Sequence, residues 1–158
     1  MELDRFDRQL LNLVQEDSAQ TAERLAEQVG LSPSAIQRRL KKMREQGVIV
    51  RDAAIIEPRE VGRPTFFVVS LEIEQERPEL LAQFREWLTK QAEVQQAFYV
   101  TGETDFVIIV TGRDTEAFDA MMSRLVKENP NVRRFTTNVV LNLVKRGLSI
   151  PVPLDDAK

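Results

Sequence analysis

Nine residues between Ser32 and Arg44 have the types and spacing best suited to chemistry in this chain, and that chemistry is recognition of a nucleic-acid duplex. Arg38, Arg39, Lys41, Lys42, Arg44 and then Arg51 meet only Glu45 as an acid between Ser32 and Arg51, while residues 1–31 hold three Arg against seven Asp or Glu. Solubility is a poor explanation for such a cationic island in a chain of net charge −3. Ser34, Ala35, Gln37, Arg38 and Arg39 stand early in the segment, where a helix entering the major groove makes its contacts. Arg pairs with O6 and N7 of guanine and Gln with N6 and N7 of adenine, each discriminating by about 1–3 kcal/mol. Lys41, Lys42 and Arg44 lie further along and suit phosphates. Ser32, at the start of the helix, also suits a phosphate, because the first N–H groups of a helix attract anions.

A second candidate site is the segment Gly102-Glu103-Thr104-Asp105. Exposed N–H groups in such a turn suit an α-carboxylate, and Asp105 suits an α-ammonium group. Tyr99, Thr101, Thr136 and Thr137 are expected to complete the pocket, if the edge of the last strand passes nearby. The same four residues also read as ordinary hairpin chemistry. Glu103 and Asp105 are close enough to suggest a carboxylate pair, but no nucleophile with its base and no phosphate-binding glycine loop accompanies them. With no His and no Cys, disulfides and the usual zinc sites are excluded and the commonest general base near neutral pH is missing. The expectation is no catalytic residue, no metal and no cofactor. Met121 and Met122 read as core and Trp87 as a packed or interface aromatic.

These sites need elements to carry them. In the first 47 residues, three apolar stripes recur at helical spacing: Leu3, Phe6, Leu10, Leu13 and Val14; then Ala22, Leu25, Ala26 and Val29; then Ile36, Leu40 and Met43. Thr21 and Ser32 are predicted N-caps, Gly30 the turn residue, Pro33 the first residue of the third helix and Gly47 its stop. Two short helices around a tight turn make a helix-turn-helix. Residues 48–64 read as an extended strand and linker, since VIVRDAAIIEP is followed by the Pro and Gly of EPREVGRP. Residues 65–158 alternate in the order β-α-β-β-α-β. The first strand shows Phe67, Val69, Leu71 and Ile73 on one face. A last long strand shows Phe135, Thr137, Val139, Leu141 and Leu143, and the second helix carries Phe118, Met121, Met122, Leu125 and Val126.

The fold class expected is therefore α+β: a winged-type three-helix helix-turn-helix domain followed by a ferredoxin-like βαββαβ domain. In that topology both helices cover one face of the sheet. The other face would carry Phe66, Val68, alternate residues of FVIIV and Val140, which is too apolar to leave wet. Burying ~500 Å² of such surface contributes roughly 12 kcal/mol gross, so the second domain is expected to dimerise through it. A dimer also suits paired half-sites on DNA. The charged start MELDRFDRQL is no signal peptide and no apolar run reaches membrane-spanning length, so a soluble, cytoplasmic protein without a membrane partner is expected.

Over nearly its whole length the chain resembles the Lrp/AsnC, or feast/famine, transcription regulators. LDRFDRQLLNLVQEDS is similar to that family's first helix, LAEQVGLSPSAIQRRLKKMREQGVI to its helix-turn-helix, and TGETDF at 101–106 to the glycine-to-aspartate turn of its regulatory domain. Arg39 stands where the family generally has Arg, and Arg38 where some members have an acid. The resemblance implies homodimers that assemble further, often to octamers, with an amino-acid effector bound between dimers near that turn. An apolar effector such as leucine or methionine suits the surroundings of Tyr99 and Phe106. The expected function is sequence-specific regulation of transcription on double-stranded operator DNA. The competing readings are an architectural, chromatin-like DNA binder without effector and an enzyme carrying a ferredoxin-like regulatory domain; the acidic total and the missing catalytic groups argue against them.

Overall fold

The computed structural model describes residues 2–154 and divides into two compact units. Of the described residues, 2–55 and 145–154 form the first unit, and Ile56–Val144 forms the second. The division falls inside the expected linker, but residues 145–154 belong to the first unit and not to the βαββαβ domain assigned to 65–158.

In the first unit α1 spans Arg5–Glu16, α2 Ala22–Val29 and α3 Pro33–Glu45. Each begins on a side-chain cap that satisfies an otherwise orphaned N–H. Asp4 and Asp7 form a reciprocal capping box on α1, Thr21 accepts from the Arg24 N–H, and Ser32 accepts from the Ala35 N–H. Gly30 closes α2 at φ 77°, the left-handed conformation that permits the tight turn into α3. Leu10, Leu25, Ile36 and Met43 fill the centre of a small core, with Leu11, Ala26 and Val29 around them.

The first part of the expected linker, 48–57, pairs with no strand among the described residues, so there is no β-wing. Val48 and Ile49 instead fold back: both N–H groups reach the Met43 carbonyl, and both side chains pack on the helical core. Pro58–Val61 is one short 3-10 turn capped by Glu57.

The second unit follows the expected order, with β1 at Thr65–Ile73, α4 at Pro78–Lys90, β2 at Val94–Tyr99, β3 at Phe106–Gly112, α5 at Thr115–Glu128 and β4 at Val132–Val139. The antiparallel sheet runs β2-β3-β1-β4. Phe67, Val69 and Leu71 of β1 and Phe106, Ile108 and Val110 of β3 share a core with Leu81, Phe84 and Leu88 of α4 and Met121, Met122 and Leu125 of α5. Val126, assigned to that stripe, is exposed. The last strand is also shorter than expected. After Val140, whose N–H still reaches the Phe66 carbonyl, the pairing with β1 stops one residue short of its first residue, Thr65, and Leu141 and Leu143 are exposed.

Candidate nucleic-acid interface and ligand-binding turn

Helix α3 sorts its side chains by angle. At 100° per residue, Ser34, Gln37, Arg38, Lys41 and Lys42 occupy an arc of about 140° opposite Ile36, Leu40 and Met43. All five are exposed, while Ile36 and Met43 are fully buried. Ala35 and Arg39 lie on the flank and are half-buried. Ser32 and Ser34 lie at the amino end with their hydroxyls 3.1 Å apart.

The cations are not equivalent. Arg39 turns inward: its Nη1 donates to Asp4 Oδ2 and to Asp7 Oδ1, both at 2.7 Å, and its guanidinium lies 5.6 Å from the centre of the Phe6 ring. Asp7 is the only charged residue buried among those described. Burial raises the Asp4 carboxyl, but the Asp7 N–H and the Arg39 guanidinium outweigh it and hold the group below the usual Asp range. The hydrogen bond to Asp7 pushes the Arg39 guanidinium above its ordinary range, keeping it charged. The position expected to read a base is thus engaged in fastening α3 to the cap of α1. Arg44 is also committed, with Nη2 3.2 Å from Asp52, and Lys41 sits 3.8 Å from Glu45. Arg38 and Lys42 have no ion-pair partner among the described residues. The signal for Arg39 was present in the sequence as Asp4 and Asp7, but their meeting depends on how the helices cross.

The Gly102 turn is anchored at one end and open at the other. Thr104 Oγ1 donates to the Leu71 carbonyl at 2.7 Å, and the Asp105 N–H donates to the same oxygen. Asp105 Oδ2 accepts from the Ile73 N–H at 2.7 Å, beside the register shift at Glu72/Ile73. Thr104 and Asp105 therefore tie the turn to the end of β1, leaving one carboxylate oxygen of Asp105 without that bond. Thr101, Gly102 and Glu103 are exposed, and Gly102 has φ 121°. Tyr99 packs 4.9 Å from Phe106, with the Arg85 guanidinium 4.9 Å from its ring centre.

Thr136 and Thr137 are not at this turn. β1 lies between β3 and β4, and the paired row Phe106–Leu71–Phe135 marks the end nearest the turn; Thr136 and Thr137 pair with Ser70 and Val69, running away from it. Two strand spacings, roughly 9.6 Å, separate β4 from β3. The β4 residues at the turn end are Arg133 and Arg134, both paired with Glu72, which the sequence reading missed.

Residues 3–44 match the AsnC-type helix-turn-helix domain and residues 67–150 the Lrp/AsnC ligand binding domain. The chain belongs to the Lrp/AsnC family. It is 42% identical to an HTH-type transcriptional regulator of Sinorhizobium fredii, over 98% of this chain and 91% of that one. Its fold superposes on an AsnC family transcriptional regulator from Agrobacterium tumefaciens with a TM-score of 0.85 at 31% identity, covering 94% and 97% of the two chains. A transcriptional regulator from Neisseria meningitidis, solved as an L-Met complex, gives 0.83 at 29% identity, covering 95% and 97%. As an Lrp/AsnC protein the chain is a DNA-binding transcription regulator with a ligand-binding domain, and not an enzyme. Among the described residues no group of His, Cys, Asp and Glu is placed to hold a metal, and no helix is long and apolar enough to cross a membrane.

Proposed function

We propose that this chain is a cytoplasmic, sequence-specific regulator that reads double-stranded operator DNA with the outward arc of α3 and senses a small amino acid with its second unit. The observation that carries the first half is the contrast within α3: Arg39 is locked to Asp4 and Asp7, while Arg38 and Lys42 project without protein partners beside Gln37 and Ser34. Gln37 and Arg38 have the donor geometry for base edges; Lys41, Lys42 and the Ser32 end of the helix suit flanking phosphates. Reversing Arg38 and Lys42 to Glu tests this in a mobility-shift assay on operator fragments. Retention is expected to vanish with the thermal midpoint unchanged, and normal retention overturns the assignment.

The effector site rests on the exposed N–H groups around Gly102 and Glu103 for the α-carboxylate, and on the free oxygen of Asp105 for the ammonium group. Tyr99 and Thr101 flank them, and Thr136 and Thr137 belong to such a pocket only if a neighbouring copy supplies them. The L-Met complex of the Neisseria regulator supports an apolar amino acid, methionine or leucine. Dimers form through the open sheet face, where the half-buried Val68, Val107 and Ile109 lie opposite the helices, and dimers assemble further, to an octamer. Effector bound between dimers favours one spacing of the paired heads and so changes operator affinity. A thermal-shift screen of the twenty amino acids checks the sensing half. Binding to the native state alone adds about 2.7 kcal/mol at a hundredfold excess over Kd, whereas no shift with any of them removes the effector.

A further inference from the structure

Residues 150–153 are held on α1 by a set of contacts that neither DNA reading nor effector binding uses. Asn12 Nδ2 donates to the Val152 carbonyl at 2.8 Å, and the Val152 N–H donates back to Asn12 Oδ1 at 3.0 Å. Gln15 does the same one turn further along: Nε2 to the Ile150 carbonyl at 2.9 Å, and the Ile150 N–H to Oε1 at 2.7 Å. Arg8 Nη1 reaches the Pro153 carbonyl at 3.3 Å. Asn12 and Gln15 are three apart and so share one helix face, and the segment runs antiparallel to the helix axis. Pro151 and Pro153 have no N–H to satisfy and hold φ near −65°, so the two N–H groups of Ile150-Pro151-Val152-Pro153 are both taken and the segment is pre-set as extended. Val152 adds an apolar contact with the helical core, while Ile150 stays 72% exposed.

We propose that this face of α1 is a docking site for the chain's own 150–153 segment, working in cis as a releasable latch on the helix-turn-helix. Two carboxamides, each bonding both the N–H and the C=O of one residue, give the segment a defined register and direction, and little buried apolar surface keeps it easy to open. When latched, the first unit is joined to the second at two places in the chain, Ile55–Ile56 and Val144–Lys145; when released, at the first alone. The latch thus sets how freely the head moves, independently of what the head binds.

A synthetic peptide of residues 148–154, fluorescently labelled, is titrated into a chain ending at Gly147 and into the full chain. Saturable one-to-one binding to the shortened chain, absent from the full chain, is expected, and Asn12→Ala weakens it about tenfold. Equal binding to both chains, or none to the shortened one, overturns the proposal. Hydrogen exchange in the full chain keeps the test independent of the truncation. Asn12→Ala is expected to speed exchange of the Val152 amide about tenfold, and an unchanged rate overturns it. Because the chain has no cysteine, the pair Glu16→Cys and Ser149→Cys, joined by a short bismaleimide, reports the source of the segment. A cross-linked species at monomer mass is expected on a denaturing gel; a dimer mass assigns the segment to a second copy and overturns the latch in cis.

Discussion

Arg39 and Arg38 are adjacent and equally charged, yet one is paired inward and the other projects outward. Arg39 sits between the exposed Asp4 and the buried Asp7, so truncating it leaves a buried carboxylate without its cation. Arg39→Ala is expected to destabilise the helical unit by about 1–3 kcal/mol, read as a lower thermal midpoint. Arg38→Ala and Lys42→Ala, having no ion pair to lose, are expected to leave the midpoint within about 0.5 kcal/mol. Each lysine lost from a phosphate contact is expected to reduce the slope of log K against log salt by about one. The same cluster predicts acid sensitivity. The Asp4 pKa is lower folded than unfolded, so its contribution is present above the ordinary Asp pKa and is lost as pH falls through the folded value. Acid unfolding followed by circular dichroism is therefore expected to begin at higher pH in Asp4→Asn, which lacks that group. The inward role of Arg39 was hidden from the sequence because helical periodicity places a residue on a face without saying which neighbour that face meets. A flank position beside a cationic arc looks the same whether it meets phosphate or carboxylate.

At the scale of the element, what could be read in the sequence was whatever local chemistry determines. Thr21 and Ser32 cap helices because a short oxygen-bearing side chain there satisfies an N–H whatever surrounds it, and Gly30 closes its turn for an equally local reason. The failures were all in elements whose existence depends on a partner. Residues 48–57 have strand composition but find no edge within the described chain, and β4 stops where its pairing with β1 stops. Thr136 and Thr137 were misplaced for a related reason, since element order along the chain leaves open which strand lies between two others. The Gly102 turn tests how far its geometry is local. An added Cβ there would meet nothing within 4 Å, so Gly102→Ala is opposed by φ 121° alone. A loss of about 1–2 kcal/mol is expected. Thr104→Ala removes the bond to the Leu71 carbonyl and is expected to lose about 1 kcal/mol. Urea titration of the two variants separates these small losses from a collapse of the sheet.

Over the whole molecule, the outer face of the sheet is where we propose that two copies meet. Its helix-covered face is dry, with Val69, Leu71, Ile108 and Val110 fully buried. Val68 and Ile109 pair across β1 and β3 on the opposite face, in line with Val107 and the exposed Phe98, where none of the residues of that helix-facing core lies; Phe66, expected on this face as wet surface, is already buried within the chain. An apolar outer sheet surface is favourable to cover, and in the proposed dimer a second copy would bring the same surface to it. A charge placed at the Val68–Ile109 pair separates association from folding, because neither side chain reaches the helix-facing core. Ile109→Glu is expected to shift the sedimentation coefficient to that of a monomer at micromolar concentration while the far-ultraviolet spectrum stays native. DNA binding should weaken far more than that of either head alone, since two linked heads gain from effective concentration and isolated ones do not. An assembly that keeps its size with glutamate at 109 would mean that the copies meet elsewhere, with the exposed β4 edge and Leu141 as the next surface to charge.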